Sequence, residues 1–477
     1  MPQQTLSRGV DQLAFPEDLD FPQLVTAVDS GRMLELFREH LKPVAGKAYR
    51  IRDCTPYRFR CRQSTSRCVL QYTLRIADPF TGRQWDQWVT GVVYARPGEA
   101  EGLWRESHAG GADPCPGIPS RWLTFEPVAF IADLSMLVQV FPYDRKLEHL
   151  AAVLRGDGLR ELEPLLLARL TPGAWRIVAC TIEPTRYRTE LGAALRCTVQ
   201  AREAATGAQR ALRCYLKVYR DDHGGESFRL LQSLAAERAD TDAASYTAVK
   251  PIAYLSELRT LVLEEAAGTP LQELLLTGGD PVRAGRAVGR AVAAFNQDPV
   301  PVTRRHSLAD QLKQVQRAAT LLEWACPDLR ADVAALTDTV TRGLVDAPPM
   351  PMHRDLKTDH VFLSGDRVIF IDLDSVALGD PVRDPAHLYA HLVARVGMDE
   401  LPPARARAAA TAFVDEYFAL VPKPWRSRFP LHAAGALLEV ARGIFKRQEP
   451  RWRDKVATAI GAAHATLSET RTSRAQA

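Results

Sequence analysis

One stretch of this chain is written twice, so whatever it folds into must contain two copies of one unit. Tyr49-Arg50-Ile51 answers Trp175-Arg176-Ile177, and the turn Phe80-Thr81-Gly82 answers Ala205-Thr206-Gly207. Val92-Val93-Tyr94 answers Lys217-Val218-Tyr219, and Glu126-Pro127-Val128-Ala129-Phe130-Ile131 answers Lys250-Pro251-Ile252-Ala253-Tyr254-Leu255. Leu147-Glu148-His149-Leu150 closes the first copy as Leu271-Gln272-Glu273-Leu274 closes the second. The offset stays between 124 and 126 residues throughout, which chance matches would not maintain. Alternation and turn spacing make each copy a small antiparallel sheet carrying one short helix.

The copies differ at one position that matters. Lys217 stands inside the otherwise apolar strand Cys214-Tyr215-Leu216-Lys217-Val218-Tyr219, where the first copy has Val92. An isolated buried ammonium is strongly destabilising, so Lys217 needs an acidic partner. Glu226, at the start of the following helical pattern, is the natural candidate. The first copy keeps an acid there, Glu101, but has lost the cation. The second copy therefore reads as the working unit.

After Leu276 the pattern turns helical, with periods over 283–295 and at about 305–343, 383–397, 402–421, 430–447 and 452–468. Ala347-Pro348-Pro349-Met350-Pro351 breaks this run and delivers the chain, extended, into Met352–Ser375. There two apolar runs, 361–363 and 368–371, flank the turn Ser364-Gly365-Asp366-Arg367 and predict a hairpin. A hairpin returns the chain to its origin, so Asp355, Lys357 and His360 should lie near Asp372 and Asp374. Such a cluster is costly to desolvate without a ligand, and its composition suits a divalent cation and a phosphate. A β-rich half followed by a helical half makes the class α+β.

Several functions are excluded more cheaply. A formal charge of +4 over 477 residues leaves no footprint for nucleic acid. No segment reaches the roughly 18 apolar residues of a membrane span. The stretch Met1 to Phe15 lacks a basic, then apolar, secretory pattern, so a cytoplasmic location is expected. The eight cysteines, at 54, 61, 68, 115, 180, 197, 214 and 326, show no metal spacing and read as reduced, half-buried thiols. No Walker A, HExxH or G-x-S-x-G motif is present.

The segments HRDLKTDH and IDLDS resemble the catalytic loop and metal-binding segment of the protein-kinase-like fold, in its small-molecule branch of aminoglycoside phosphotransferases and choline kinases. His353, Asp355, Asp372, Asp374, Gly379-Asp380-Pro381 and Asp384 stand in the order of that family's motifs. The Lys217 strand, the Glu226 helix and the exit segment Leu261–Leu271 are similar to its nucleotide-binding lobe and hinge. The resemblance implies Asp355 as the base, with Lys357 steadying the γ-phosphate. It also implies Lys217, Glu226, Glu264 and Ala266 at the nucleotide, and His360 and Asp372 at the metal. His353, Asp374 and Asp380 would brace the site, the last as a loop and helix-start stabiliser together with Asp384. ATP and Mg²⁺ are the implied cofactors. The family's metal-binding Asn is His360 here, as in the lipopolysaccharide core sugar kinases, and Arg188–Gly192 replaces a glycine-rich turn.

The expected architecture is thus a two-lobed protein-kinase-like fold preceded by a degenerate duplicate of its β-rich lobe. Its divisions are a leader (1–44), the duplicate (45–165), the nucleotide lobe (166–276) and a helical lobe (277–477). The expected activity is transfer of phosphate to a small-molecule hydroxyl on a sugar, aminoglycoside-like compound or amino alcohol, with no nucleic-acid or membrane partner. The duplicate is a candidate homodimer surface. The rival is an inactive pseudokinase serving as a binding module.

Overall fold

The computed structural model describes residues 15–61, 67–109, 122, 124–237 and 245–476. Residues 1–14, Cys115 and the Cys61 side chain, on which the expectations about secretion and thiols partly rest, lie outside the described set. The chain divides into two units, one of residues 1–145 with 444–454 and one of 146–443 with 455–477.

The first unit opens with two helices, α1 (Leu24–Ala27) and α2 (Ser30–His40). Asp29 caps α2 by accepting from the Arg32 amide, satisfying one orphan donor of the first turn. A sheet follows: β1 (Arg50–Cys61), β2 (Arg67–Ala77), β3 (Gln84–Tyr94), then α3 (Glu99–Ala109), β4 (Val128–Ile131) and β5 (Met136–Val140). The strands lie in the order β1-β2-β3-β5-β4.

The second unit begins with α4 (Leu150–Arg155) and α5 (Leu159–Leu167). Its first sheet is built from β6 (Trp175–Arg188), β7 (Gly192–Glu203) and β8 (Gln209–Tyr219). Helix α6 (His223–Glu237) and strands β9 (Tyr246–Ala248), β10 (Pro251–Leu255) and β11 (Thr260–Glu264) follow. The order is β6-β7-β8-β11-β10, so the two sheets share one topology.

Details repeat as well. The Thr-Gly turn places Gly82 at φ 69° and Gly207 at φ 70°, a conformation glycine adopts without steric cost. The pairs Ala77↔Gln84 and Arg202↔Gln209 hold equivalent registers around it. A 3₁₀ turn leads into the last strand in each sheet, ending at Ser135 with φ 44° and at Arg259 with φ 45°.

The helical part carries β12 (Thr269–Pro270), α7 (Leu271–Leu276), α8 (Pro281–Gln297), α9 (Leu308–Ala325) and α10 (Arg330–Gly343). After β13 (Met350–Met352) comes the expected hairpin, β14 (Val361–Ser364) and β15 (Arg367–Phe370), with Gly365 at φ 63° in its turn. Then come β16 (Ala377–Gly379), α11 (Arg383–Val393), α12 (Pro403–Leu420), α13 (Phe429–Lys446) and α14 (Trp452–Gln476). The hairpin is flanked by β12 on one side and by β9, in parallel, on the other, while β13 pairs with β16. Both ends of the polar loop are thereby pinned. Helices α8 and α12 approach closely because Gly285 and Gly289 leave room: a Cβ on Gly289 would stand 2.8 Å from the Phe413 carbonyl oxygen.

One close pair of buried charges ties two of these helices together. Arg383 on α11 meets Glu439 on α13 at 2.8 Å, both nearly inaccessible. Burial alone would raise the Glu439 carboxyl, but Arg383 outweighs it and holds it at about 2. A depressed carboxylate contributes stability above its ordinary range near 4.5 and loses it as pH falls through 2. Glu439→Gln should therefore cost about 3–5 kcal/mol at pH 7, with Arg383 left uncompensated. The difference from the native chain should shrink at pH 3, and urea unfolding at the two pH values checks it.

The α+β class and the hairpin agree with the sequence, and the helical periods fall on helices. The cysteines are more buried than expected: of the six with described side chains, all free, only Cys180 is partly exposed. No described helix is long and apolar enough to cross a membrane.

Candidate active site

Two segments of the second unit face each other across the site. Strand β8 supplies Lys217, and the hairpin supplies the loop His353–His360 at its entry and Ile371–Ser375 at its exit. Asp372 takes a left-handed conformation, φ 60°, and a 3₁₀ turn over Leu373–Ser375 follows. This bend brings Asp372 and Asp374 around one ammonium. Lys217 Nζ donates to Asp372 Oδ1 at 2.5 Å and to Asp374 Oδ2 at 2.6 Å. Tyr219, two residues along β8, donates its hydroxyl to Asp374 at 3.0 Å. Burial would lower the Lys217 ammonium, but Asp374 and Asp372 outweigh it and raise it above its usual range.

The expected partner of Lys217 is corrected by this geometry. Glu226 accepts instead from Arg304 at 3.0 Å and lies near His223 at 3.4 Å. Its side chain is 62% exposed, whereas the Asp372 and Asp374 side chains are 30% and 20% exposed. Arg304 also donates to the Asp374 carbonyl at 2.7 Å, so Glu226 reaches the acidic segment through Arg304. The other nucleotide-site candidates sit at the end of β11. Glu264 is ion-paired with Arg169, and its amide donates to the Lys250 carbonyl at 2.9 Å. Ala266 follows two residues later, half-buried, in the exit segment. The turn Arg188–Gly192 joins β6 to β7, with Glu190 rather than glycine at φ 61°.

The loop His353–His360 is braced from behind. Asp384 accepts from the His353 amide at 2.6 Å, the Arg354 amide at 2.8 Å and the buried Asn296 side chain at 2.9 Å. His353 Nε2–H donates to the Ile371 carbonyl at 3.0 Å, tying loop to hairpin exit. Asp380 is held elsewhere, by Arg428 at 2.7 Å and His432 at 2.9 Å. Asp380 and Asp384 thus sit in structural contacts.

At the centre, one ligand atom each from Asp355, His360 and Asp372 lies within 4.8 Å of the others. Lys357 Nζ is 2.9 Å from Asp355 Oδ2. Burial would raise the Asp355 carboxyl, but Lys357, His360 and His387 together hold it well below the usual carboxylate range. Asp372 is likewise held low against its burial, chiefly by Lys217 and then His360. The His360 imidazole is pushed down to about 4, by burial first and then by Lys357. A buried neutral imidazole between two ionised carboxylates is therefore the resting state near neutral pH.

Beside this centre an open cleft of about 1010 Å³ is lined in part by Tyr219, Gly225, Phe228, Arg229 and Tyr254. At an offset of 124–125 residues, Tyr94, Ala100, Leu103, Trp104 and Phe130 stand at the corresponding five positions of the first unit. There they pack with Val92 in one apolar cluster. Where the second sheet carries a cation and a cleft, the first carries filled core.

Sequence reasoning missed Tyr219, His223, Arg304 and Asn296. Tyr219 was visible only as half of the repeated Val-Tyr pair. Nothing in the chain near Arg304 or Asn296 marks either.

Residues 198–420 match the model of APH, the phosphotransferase enzyme family. None of the curated proteins compared with the chain matches it. Solved structures similar to it include an aminoglycoside phosphotransferase, described as putative, from Ralstonia eutropha (14% identity, 66% of this chain and 98% of that one, TM-score 0.44). A choline/ethanolamine kinase family protein from Mesorhizobium loti is 13% identical over 57% of this chain and 85% of its own, with TM-score 0.37. A choline kinase from Cryptosporidium parvum is 11% identical over 61% and 90%, with TM-score 0.39. The family match supports a phosphotransferase of the small-molecule kind. Over residues 198–420, the segment holding Lys217 and the whole hairpin cluster, this chain is similar to the phosphotransferase enzyme family that its loop motifs resemble.

Proposed function

We propose that the chain transfers the γ-phosphoryl group of ATP, with a divalent cation, to a hydroxyl of a small molecule such as a sugar, an aminoglycoside-like compound or an amino alcohol. The observation carrying this reading is the convergence of Asp355, His360 and Asp372 within 4.8 Å of one another, with Lys217 ion-paired to Asp372. Phosphoryl transfer needs positioning and charge compensation more than covalent help, and this cluster is made of such groups.

Asp355, ionised and exposed enough to meet a substrate, accepts the proton of the acceptor hydroxyl. Lys357 lies 2.9 Å from it and steadies the transferred group. Lys217 holds the α- and β-phosphates, and Glu264 and Ala266 flank the nucleobase at the exit of β11. Glu226 orients the acidic segment through Arg304. His353 and Asp384 keep the loop in place while the proton moves.

The residues fit a divalent cation, because the Nε2 atom of His360 is buried with no hydrogen-bond partner among the described residues and faces a carboxylate oxygen. His360 and Asp372 would hold the ion, which supplies charge neutralisation on the phosphates. In this scheme residues 166–276 act as the nucleotide lobe and 277–477 as the helical lobe. Residues 45–165 are a degenerate copy of the former, behind a leader of 44 residues.

A second reading is favoured by one observation: Lys217 occupies Asp372 Oδ1, and Glu226 is turned to Arg304. A chain fixed in that arrangement would be a pseudokinase. An ATP-consumption screen over sugars, aminoglycosides and amino alcohols separates the two. The proposal expects at least one acceptor to raise turnover. No stimulation by any acceptor, together with no nucleotide binding, would favour the pseudokinase.

A further inference from the structure

His360 is 2% exposed, so its ring is enclosed by its neighbours. It lies near-parallel to His353 at 5.9 Å and 24°, and its Nδ1–H donates to the Asp355 carbonyl at 2.9 Å. That bond fixes the tautomer, so Nε2 carries the lone pair. Among the described residues Nε2 has no hydrogen-bond partner. It faces Asp372 Oδ2 at 3.4 Å, while Lys217 engages the other oxygen of the same carboxylate. Two lone pairs opposed in a buried site are repulsive unless a cation lies between them. A separation of 3.4 Å is close to that of neighbouring donors on one ion with bonds of about 2.0–2.2 Å.

Resting on the kinase reading above, we propose that His360 Nε2 is a direct ligand, with Asp372 Oδ2, of the site's divalent ion. This imidazole would shift the site's preference from Mg²⁺ to a nitrogen-accepting transition ion such as Mn²⁺. Mg²⁺ favours oxygen and gives up its waters reluctantly. First-row transition ions take imidazole more readily, so a mixed nitrogen–carboxylate pair discriminates in their favour. Asp355, although close, is engaged by Lys357 and remains the base. The Asp355 carbonyl accepts from the opposite ring nitrogen and orients the His360 ring as a metal-bound imidazole requires.

The test uses the full chain with a non-hydrolysable ATP analogue. Mn²⁺ binding is read by loss of the free-ion paramagnetic resonance signal, and Mg²⁺ by competition. Echo-modulation spectra are recorded on protein carrying ¹⁴N or ¹⁵N histidine. The proposal expects a histidine nitrogen coupled to Mn²⁺ that changes with the label. It also expects His360→Asn to weaken Mn²⁺ by at least roughly tenfold, since even outer-sphere partners cost about 10–100-fold. Mg²⁺ affinity should stay within about threefold, so that the Mn²⁺/Mg²⁺ ratio collapses. Bound Mn²⁺ without nitrogen coupling, or an unchanged ratio in His360→Asn, would overturn the ligand assignment and leave the kinase reading standing. The nitrogen coupling is read on the native chain and needs no variant to fold. Failure of both ions to bind, with or without nucleotide, would overturn both readings.

Discussion

Asp355→Asn should reduce phosphoryl transfer by about 10²–10⁴-fold with little loss of stability, because a positioned general base contributes on that order. The substitution is isosteric and removes only the charge that accepts the proton. Lys357, 2.9 Å away, then loses its carboxylate partner but keeps its place near the phosphate. Nucleotide affinity should change less than about threefold, which separates the base from the nucleotide-binding groups. Equal losses in binding and turnover would mean that Asp355 holds the nucleotide instead. The kinetics should be followed from pH 5 to 8. Asp355 is held ionised well below that range, so its own titration should not limit the rate there.

Lys217→Met and Val92→Ala, substitutions at equivalent positions of the two repeats, should have opposite consequences. Lys217→Met removes the charge that bridges Asp372 and Asp374. A charged hydrogen bond to phosphate is worth about 1.5–3 kcal/mol, so nucleotide affinity should fall roughly 10–100-fold. Relief of the two carboxylates would be incomplete, and some stability should be lost as well. Val92→Ala should leave nucleotide affinity unchanged and cost about 2 kcal/mol of stability, from two methyl groups and the cavity they leave. Val92 is 1% exposed and sits in the cluster with Val69 and Leu137. Calorimetric binding and urea unfolding on both variants check the pair. Loss of nucleotide binding in Val92→Ala would contradict the assignment of the second repeat as the working one.

What could be seen in the sequence was local or periodic. The hairpin was legible because its apolar runs and Gly365 turn lie within eleven residues, 361–371, and a hairpin brings its ends together whatever else the chain does. The shared strand order of the two sheets was legible because matching segments and the Thr-Gly turn recur at a nearly fixed offset. The partner of Lys217 was not. Sequence shows that a buried ammonium needs a carboxylate but not which one is nearest. Glu226 lay closer in the chain, yet Asp372 and Asp374 come closer in space, through the left-handed turn at Asp372. Arg304 and Asn296 were invisible for a related reason. Each acts across more than 50 residues, on Glu226 and Asp374 or on Asp384, and no local pattern records such a bond.

The central claim is that the cluster on the hairpin moves a phosphoryl group from nucleotide to a small-molecule oxygen. It is tested most directly by supplying ATP labelled with ¹⁸O in the γ-phosphoryl group, with pooled sugars, aminoglycosides and amino alcohols, and weighing the products. The account predicts a labelled phosphoryl group on one class of acceptor with the native chain and not with Asp355→Asn. Nucleotide bound by the native chain with no acceptor labelled, or equal labelling by Asp355→Asn, would contradict it.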